Sequence, residues 1–320
     1  MKKTLFILMM VALVATSVFA QATAEAPKFP TKQINIVVGA SAGGTSDVVT
    51  RFLAKDVETQ LGVPVVVTNK PGGSCSVAFE YMAAQKPDGY NMMYMPVESA
   101  MVKPLGLTNL EPSSIRYIGL AMYLPATVTV NKNAPWNTFE EIIKYAKANP
   151  GKVTVGNSGT GSIWHFAAAG IEQATGVKFN HVPFDGGAAA ATAVMGGHID
   201  VATVAPGEVL TGVQGGNLKV LAIVDNNRSV LYPNVPSFKE LGYDVKILGW
   251  GAFGVPANTP DDIVKTLESA FAKAIQSQGF KDLCTKYGLT QGYLNAADAQ
   301  AFAEAQAAWY QNEIPKFNLK

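Results

Sequence analysis

A strand that runs into a glycine-rich turn and then into a helix occurs in both halves of this chain, and that unit limits the folds open to it. Ile34-Asn35-Ile36-Val37-Val38 leads into Gly39-Ala40-Ser41-Ala42-Gly43-Gly44-Thr45-Ser46-Asp47. Val153-Thr154-Val155 leads into Gly156-Asn157-Ser158-Gly159-Thr160-Gly161-Ser162. After the first turn Val48, Val49, Phe52, Leu53, Val57 and Leu61 recur at helical spacing, Gly62 stands where a helix ends, and Pro64-Val65-Val66-Val67 supplies the next strand. This is a βαβ unit with a parallel strand pair, and its repetition predicts open α/β sheets. Such turns aim backbone N–H groups at whatever sits in front of the helix, so they suit an anion.

The first residues read as an export signal. Lys2 and Lys3 precede an apolar run from Leu5 to Val14, and Ser17-Val18-Phe19-Ala20 places small residues where a signal peptidase needs them. Cleavage is expected after Ala20, releasing a periplasmic protein with no cysteine at the cleavage site for a lipid anchor. The run is too short to span a bilayer, and no later segment reaches the ~18 apolar residues required. Roughly 300 residues remain, more than one core usually serves, so two lobes are expected. Removing Lys2 and Lys3 from the 25 basic side chains leaves 23 against 24 acidic ones. That balance gives no electrostatic case for nucleic acid or anionic membranes. Whether Cys75 and Cys284, the only cysteines, form a disulfide is left open by the sequence.

Along the chain, Asn69 to Ser74 forms a second glycine-rich turn, Val77 to Ala84 a helix and Asn91 to Met95 a strand. Thr127 to Val130 reads as a strand leaving the first lobe. Thr138-Phe139-Glu140-Glu141 reads as a capping box that opens a helix ending near Asn149-Pro150-Gly151. Phe179 to Val182, the turn Phe184-Asp185-Gly186-Gly187, an Ala-rich helix, and strands at Ile199 to Val204 and Leu218 to Val224 complete the second lobe. Lys246 to Val255 returns to the first, Thr259 is expected to cap a helix with Pro260 at its first position, and Ala296 to Gln311 is a final helix. The expected lobes are 28–126 with 250–320, and 127–249, joined by a two-crossing hinge.

In parallel sheets ligands gather where strands feed helices. That rule collects Ser41, Ala42, Gly43, Gly44 and Thr45, then Gly72, Gly73 and Ser74, and Glu98 after the third strand. In the second lobe it collects Ser158, Thr160, Gly161 and Ser162 with His165, then Phe184, Asp185 and Gly186, and the loop Ala205 to Glu208. Glycines admit a ligand close to the backbone and hydroxyls donate hydrogen bonds. Asp47, in a first helical turn, is expected to cap the loop from behind. The sequence leaves open whether Glu98, Asp185 and His165 face the cleft. Ser162 and His165 at i and i+3 raise the alternative of an exported hydrolase, but no nucleophile elbow or orienting acid accompanies them. His165, His181 and His198 lack metal-ligand spacing, and no metal or cofactor is expected. The reading is a binding protein and not an enzyme.

In this order the residues resemble the TctC or Bug family of periplasmic substrate-binding proteins, the extracytoplasmic receptors of tripartite tricarboxylate transporters. The resemblance rests on Gly43 to Asp47, Asn69-Lys70-Pro71-Gly72, Pro87-Asp88-Gly89-Tyr90, Ala148 to Lys152, Ser158 to Ser162 with His165, His181 to Phe184, Gly196 to Asp200 and Pro233 to Pro236 with Glu240-Leu241-Gly242. It implies a type II two-lobed fold that closes on its ligand, a monomer, and a large and a small membrane subunit as partners. The ligand implied is a small carboxylate: a di- or tricarboxylate, an amino acid or an aromatic acid. Carried over by position, the implied contacts are Ala42, Gly43, Thr45 and Gly73 in one lobe, and Ser158, Thr160, Ser162 and the loop from Phe184 in the other. This chain departs from the usual Pro-Gly-Ala-Gly-Gly at Pro71-Gly72-Gly73-Ser74-Cys75, from Tyr-Lys at Phe184-Asp185, and between Gly106 and Tyr117. A ligand-sensing module for a membrane sensor would use the same cleft.

Overall fold

Strand β1 (Ile34–Val38) is β-branched at four of five positions and almost wholly buried, which suits a strand covered on both faces. It lies between parallel partners β2 (Val65–Asn69) and β3 (Asn91–Pro96). Helix α1 (Thr45–Leu61) crosses from β1 to β2, with Val49, Leu53 and Val57 fully buried on one stripe. Each such side chain contributes roughly 1.5–3 kcal/mol on burial. Gly62 ends α1 at φ 69, the left-handed conformation that other residues adopt at a cost. Helix α2 (Ser76–Ala83) follows β2. The computed structural model describes residues 28–245 and 247–317; the export-signal reading and Lys246 lie outside them. Residues 1–31 and 32–320 are distinct units, and all that follows concerns the second.

Strand β4 (Ile115–Asn131) is 17 residues long. Only its last part was expected. Its first stretch, Ile115 to Pro125, runs antiparallel to β9 (Leu248–Pro256), which itself pairs with β3. Its last stretch, Ala126 to Asn131, runs antiparallel to β7 (Val201–Val204) and β8 (Leu218–Val224). Pro125, with no N–H to give a ladder, stands where the partners change. Beyond β7 come β5 (Thr154–Asn157) and β6 (Asn180–Pro183), both parallel. The strand order is β2-β1-β3-β9-β4-β7-β5-β6, with β8 and β10 (Thr290–Leu294) also on β4. The two parallel triplets, β2-β1-β3 and β6-β5-β7, are the same arrangement built twice.

In the second half α3 (Phe139–Ala148) precedes β5, α4 (Ile163–Thr175) joins β5 to β6, and α5 (Gly187–Met195) joins β6 to β7. Short α6 (Leu210–Gln214) follows β7. Thr138 caps α3 as expected, accepting from Glu141 N, while the Glu141 carboxylate accepts from Asn137 N, one residue outside the box. The expected cap of α7 (Asp261–Ile275) is corrected: Pro260 is the N-cap and Thr259 Oγ1 donates instead to Pro256 O at 2.7 Å. Helix α8 (Gln278–Tyr287) and β10 had no counterpart in the sequence reading. Final helix α9 (Ala296–Glu313) packs Phe302 on Tyr123 and Trp250, but Trp309 and Tyr310 on Phe166 of α4, so it touches both halves. Among the described residues no helix is long and apolar enough to cross a membrane.

Candidate functional site

The loops after all six parallel strands meet around one cavity of about 650 Å³. Of the residues collected from sequence, Thr45, Gly72, Gly73, Ser74, Glu98, Ser158, Thr160, Ser162, Phe184, Asp185 and Gly186 line it. Ser41, Ala42, Gly43, Gly44, Gly161 and His165 are outside its wall. Hydroxyl groups bridge the halves beside it: Ser41 Oγ donates to Asp185 O, and Ser74 Oγ to Thr160 O at 2.6 Å.

The glycine turns after β1 and β5 turn several of their N–H groups back onto the protein. In the first, Gly43 N donates to Asp47 Oδ2 at 3.0 Å and Gly44 N to Ser41 O. Asp47 is thus the loop's own cap. Burial raises its pKa, but Arg51, the Gly43 N–H and Asn69 outweigh that and hold it below the usual carboxylate value. In the second, Gly159 N donates to Asn157 Oδ1, Gly161 N to His165 Nδ1 and His165 N to Ser162 Oγ. These bonds also dispose of the hydrolase alternative. Ser162 Oγ is a helix cap, the imidazole faces the Gly161 N–H, and burial together with neighbouring His181 pushes the His165 pKa down to about 4, too low for a base.

The ends of α1 and α4 are closed by carboxylates that reach across from the other half. Glu98, in the single turn after β3, is buried and accepts from Ile163 N at 3.1 Å. The sequence leaves its direction open; the structure places it on the cavity wall. Burial raises its pKa and the Ile163 N–H draws it part of the way back. Glu208, in the matching turn after β7, accepts from Ala205 N at 2.8 Å and from the Thr45 N–H. Its burial raises the pKa to about 7 against those two donors. A Cβ at Gly187 would lie 2.1 Å from Glu208 Oε2, so that glycine is what admits the carboxylate. The rule about strand ends gathers the loop that carries Glu208; it gives no sign that this side chain turns inward.

Helices α2 and α5 are different. Neither has a side-chain cap; the single turn before α2, Gly72 to Cys75, and the start of α5, Gly186, Gly187 and Ala189, line the cavity. First-turn N–H groups lack intrahelical partners; at the entry to α2 the Cys75 and Ser76 N–H groups turn back to Gly72 O and Gly73 O, which leaves the start of α5 the more open of the two. Ser74 and Cys75, where the resemblance has glycines, sit at φ 47 and 79 in the left-handed region. Cys75 and Cys284 are free, buried thiols. The rest of the wall is apolar, with Tyr94, Trp164, Trp250, Leu107 and Leu124 among its residues. Two buried polar atoms of wall residues, Thr45 Oγ1 and Trp250 Nε1, have no hydrogen-bond partner. The described residues hold no group of side chains suited to a metal ion.

Comparison with known proteins identifies the arrangement. The family model "TctC: Tripartite tricarboxylate transporter family receptor" matches residues 49–319. A Cupriavidus necator protein described as "UPF0065 protein in gbd 5'region" is 34% identical over 290 residues, 88% of this chain and 86% of its own. A TctC solute binding protein from Polaromonas, solved with no ligand, is 35% identical, with a TM-score of 0.66 over 90% of this chain and 99% of that one. The periplasmic binding protein BugD is 26% identical, with a TM-score of 0.85 over 90% and 98%. The fold is that of two-lobed periplasmic binding proteins, and the chain belongs to the TctC family of tripartite tricarboxylate transporter receptors.

Proposed function

We propose that this chain is a periplasmic receptor, exported by a signal peptide cleaved after Ala20, that captures one small carboxylic acid and delivers it to the large and small membrane subunits of a tripartite transporter. It acts as a monomer. The observation that carries this reading is the cavity itself, walled by matching loops of both parallel triplets and supplied with the uncapped ends of α2 and α5. Helix N-termini favour negative charge, and Thr45, Ser158, Thr160 and Ser162 add hydroxyls.

Binding works through closure about the crossings in β4 and before β9, between lobes 28–126 with 250–320 and 127–249. Ligand shifts a population by binding the closed form better. Titration calorimetry against aliphatic, hydroxy, amino and aromatic acids tests the reading. A micromolar binder in one class is expected; no binder in any class rejects it.

A further inference from the structure

Among the described residues the cavity wall contains three acids, Glu98, Asp185 and Glu208, and no lysine, arginine or histidine. A bare di- or tricarboxylate would bring two or three negative charges against three acids and no cationic side chain among the described residues. The uncapped α2 and α5 ends supply partial positive charge for about one carboxylate. The protein carboxylates need something else. An ionised carboxylate has about four acceptor positions. Glu98 gives two, to Ile163 N and to its own backbone N–H, and Glu208 gives two, to Ala205 N and Thr45 N. Capping therefore uses only part of the capacity of either group.

A second, independent observation points to a ligand in the same space. Thr45 Oγ1 and Trp250 Nε1 belong to wall residues that are 5% and 2% exposed, and neither atom has a protein partner. Neither atom is open to the cavity; the indole N–H can only donate, so a side-chain adjustment on binding is what brings it to an acceptor on the guest. A buried polar group left without a partner is costly and rare. The wall thus requires a guest with both an acceptor and a strong donor, of low net charge, with an apolar body to cover Trp164, Leu107 and Leu124.

Resting on the receptor reading above, we infer that the cleft selects a zwitterionic monocarboxylate, an amino acid with an apolar side chain, with Glu208 and Glu98 as the residues that recognise its ammonium group. The guest carboxylate takes the open helix ends and the Thr45 and Trp250 donors. The crossing acids then contribute to specificity as well as to closure.

Calorimetry on the purified protein with L-phenylalanine, L-leucine, 3-phenylpropionate, 4-methylpentanoate, succinate and citrate tests this. An amino acid is expected to bind at least tenfold tighter than its desamino counterpart and than either polycarboxylate. In Glu208→Gln and in Glu98→Gln that ratio should collapse at least tenfold. Succinate or citrate binding as tightly as the amino acids overturns the inference and leaves the receptor reading standing, whereas no binding by any of the six, or by any acid of the wider panel, overturns both. If the variants lower affinity for amino and desamino acids by the same factor, the two glutamates only hold the halves together and the inference fails. The wild-type ranking decides the question even if a variant does not fold.

Discussion

Four helices begin at the cavity, and they form two contrasting pairs. The first turn of α4 is closed by its own cap Ser162 and by Glu98 from the other half; that of α1 is closed by Glu208 from the other half, with Asp47 holding Gly43 in the loop before it. Those of α2 and α5 have no side-chain cap, and the turn before α2 and the first residues of α5 line the cavity. The more conspicuous glycine turns therefore bind the protein to itself, and the plainer ones are left for a guest. Pseudo-symmetry explains the division: Glu98 and Glu208 stand in equivalent single turns after β3 and β7, and each reaches the helix that follows the central strand of the opposite triplet. A glycine-rich turn before a helix is permissive of anion binding. Which turn is used depends on what else arrives there.

The contrast is broken most directly by filling one pair and perturbing the other. Ala189→Phe, in the first turn of α5 and on the cavity wall, should reduce ligand affinity by more than ~100-fold, about 2.7 kcal/mol. Gly43→Ala should cost stability, because Gly43 sits at φ 82, by about 1–2 kcal/mol. Open space surrounds a Cβ there and the residue is outside the wall, so affinity should change less than threefold. Equal losses of affinity in the two variants would erase the distinction between capped and open ends.

How much of this could be read from sequence depended on how far apart the partners lie. The β1–turn–α1–Gly62–β2 unit is legible because its signals are local: a β-branched run, a 3.6 period and a glycine at φ 69. Asp47 is legible as a cap for the same reason, since its donor Gly43 is four residues away. Glu208 and Thr45 are 163 positions apart, and Glu98 meets a helix end 65 positions on; tertiary packing brings each pair together. Strand β4 was recognised only at Thr127 to Val130, because Gly119 and Pro125 interrupt the pattern at a bulge and at the change of partners. β10, with Thr290, Gln291 and Gly292, has little apolar alternation at all.

The second largest effect concerns pH. Glu208 has a pKa raised to about 7 in the fold against 4.5 for the free side chain. The folded protein therefore holds the extra proton between those values, and stability gained from it is full below pH ~4.5 and lost as pH rises through ~7. A shift of that size corresponds to about 3 kcal/mol at most, and on the order of 2 after allowing for solvent reaching the cavity. His165 opposes it. Its pKa, lowered to about 4, makes stability fall as pH drops from about 6.5 towards 4. Thermal melts from pH 8 to 5 should show wild type gaining on Glu208→Gln as pH falls. A difference that does not vary with pH would mean that this carboxylate is not strained by its position.

Thr45→Val sharpens the contrast at a single atom. Thr45 Oγ1 has no partner, so replacing the hydroxyl with a methyl should leave the ligand-free protein as stable or up to ~1 kcal/mol more stable, since a buried unsatisfied group is removed. The same change should weaken ligand binding about tenfold by deleting a donor to a charged acceptor, worth roughly 1.5 kcal/mol. Opposite signs in melt and titration are the expected result. A stability loss comparable to the affinity loss would make Thr45 a structural residue.

The smallest effect separates strain from contact in the open pair. Ser74 lies at φ 47 and its hydroxyl donates to Thr160 O in the other half. Ser74→Gly relieves the left-handed conformation, a gain of about 1 kcal/mol, and deletes a hydrogen bond worth about 0.5–1.5 kcal/mol, so the melting temperature should barely move. Ser74→Ala deletes the same bond but keeps the strain, and should melt lower by about 1 kcal/mol. The bond exists only while the halves are together, so both variants should populate the open form more, by about fivefold for 1 kcal/mol. Small-angle scattering of the ligand-free protein should record an equal increase in radius of gyration for the two. An increase in the alanine variant alone would assign the effect to backbone strain in the Gly73 to Cys75 turn, and would remove the Ser74 hydroxyl from the closure.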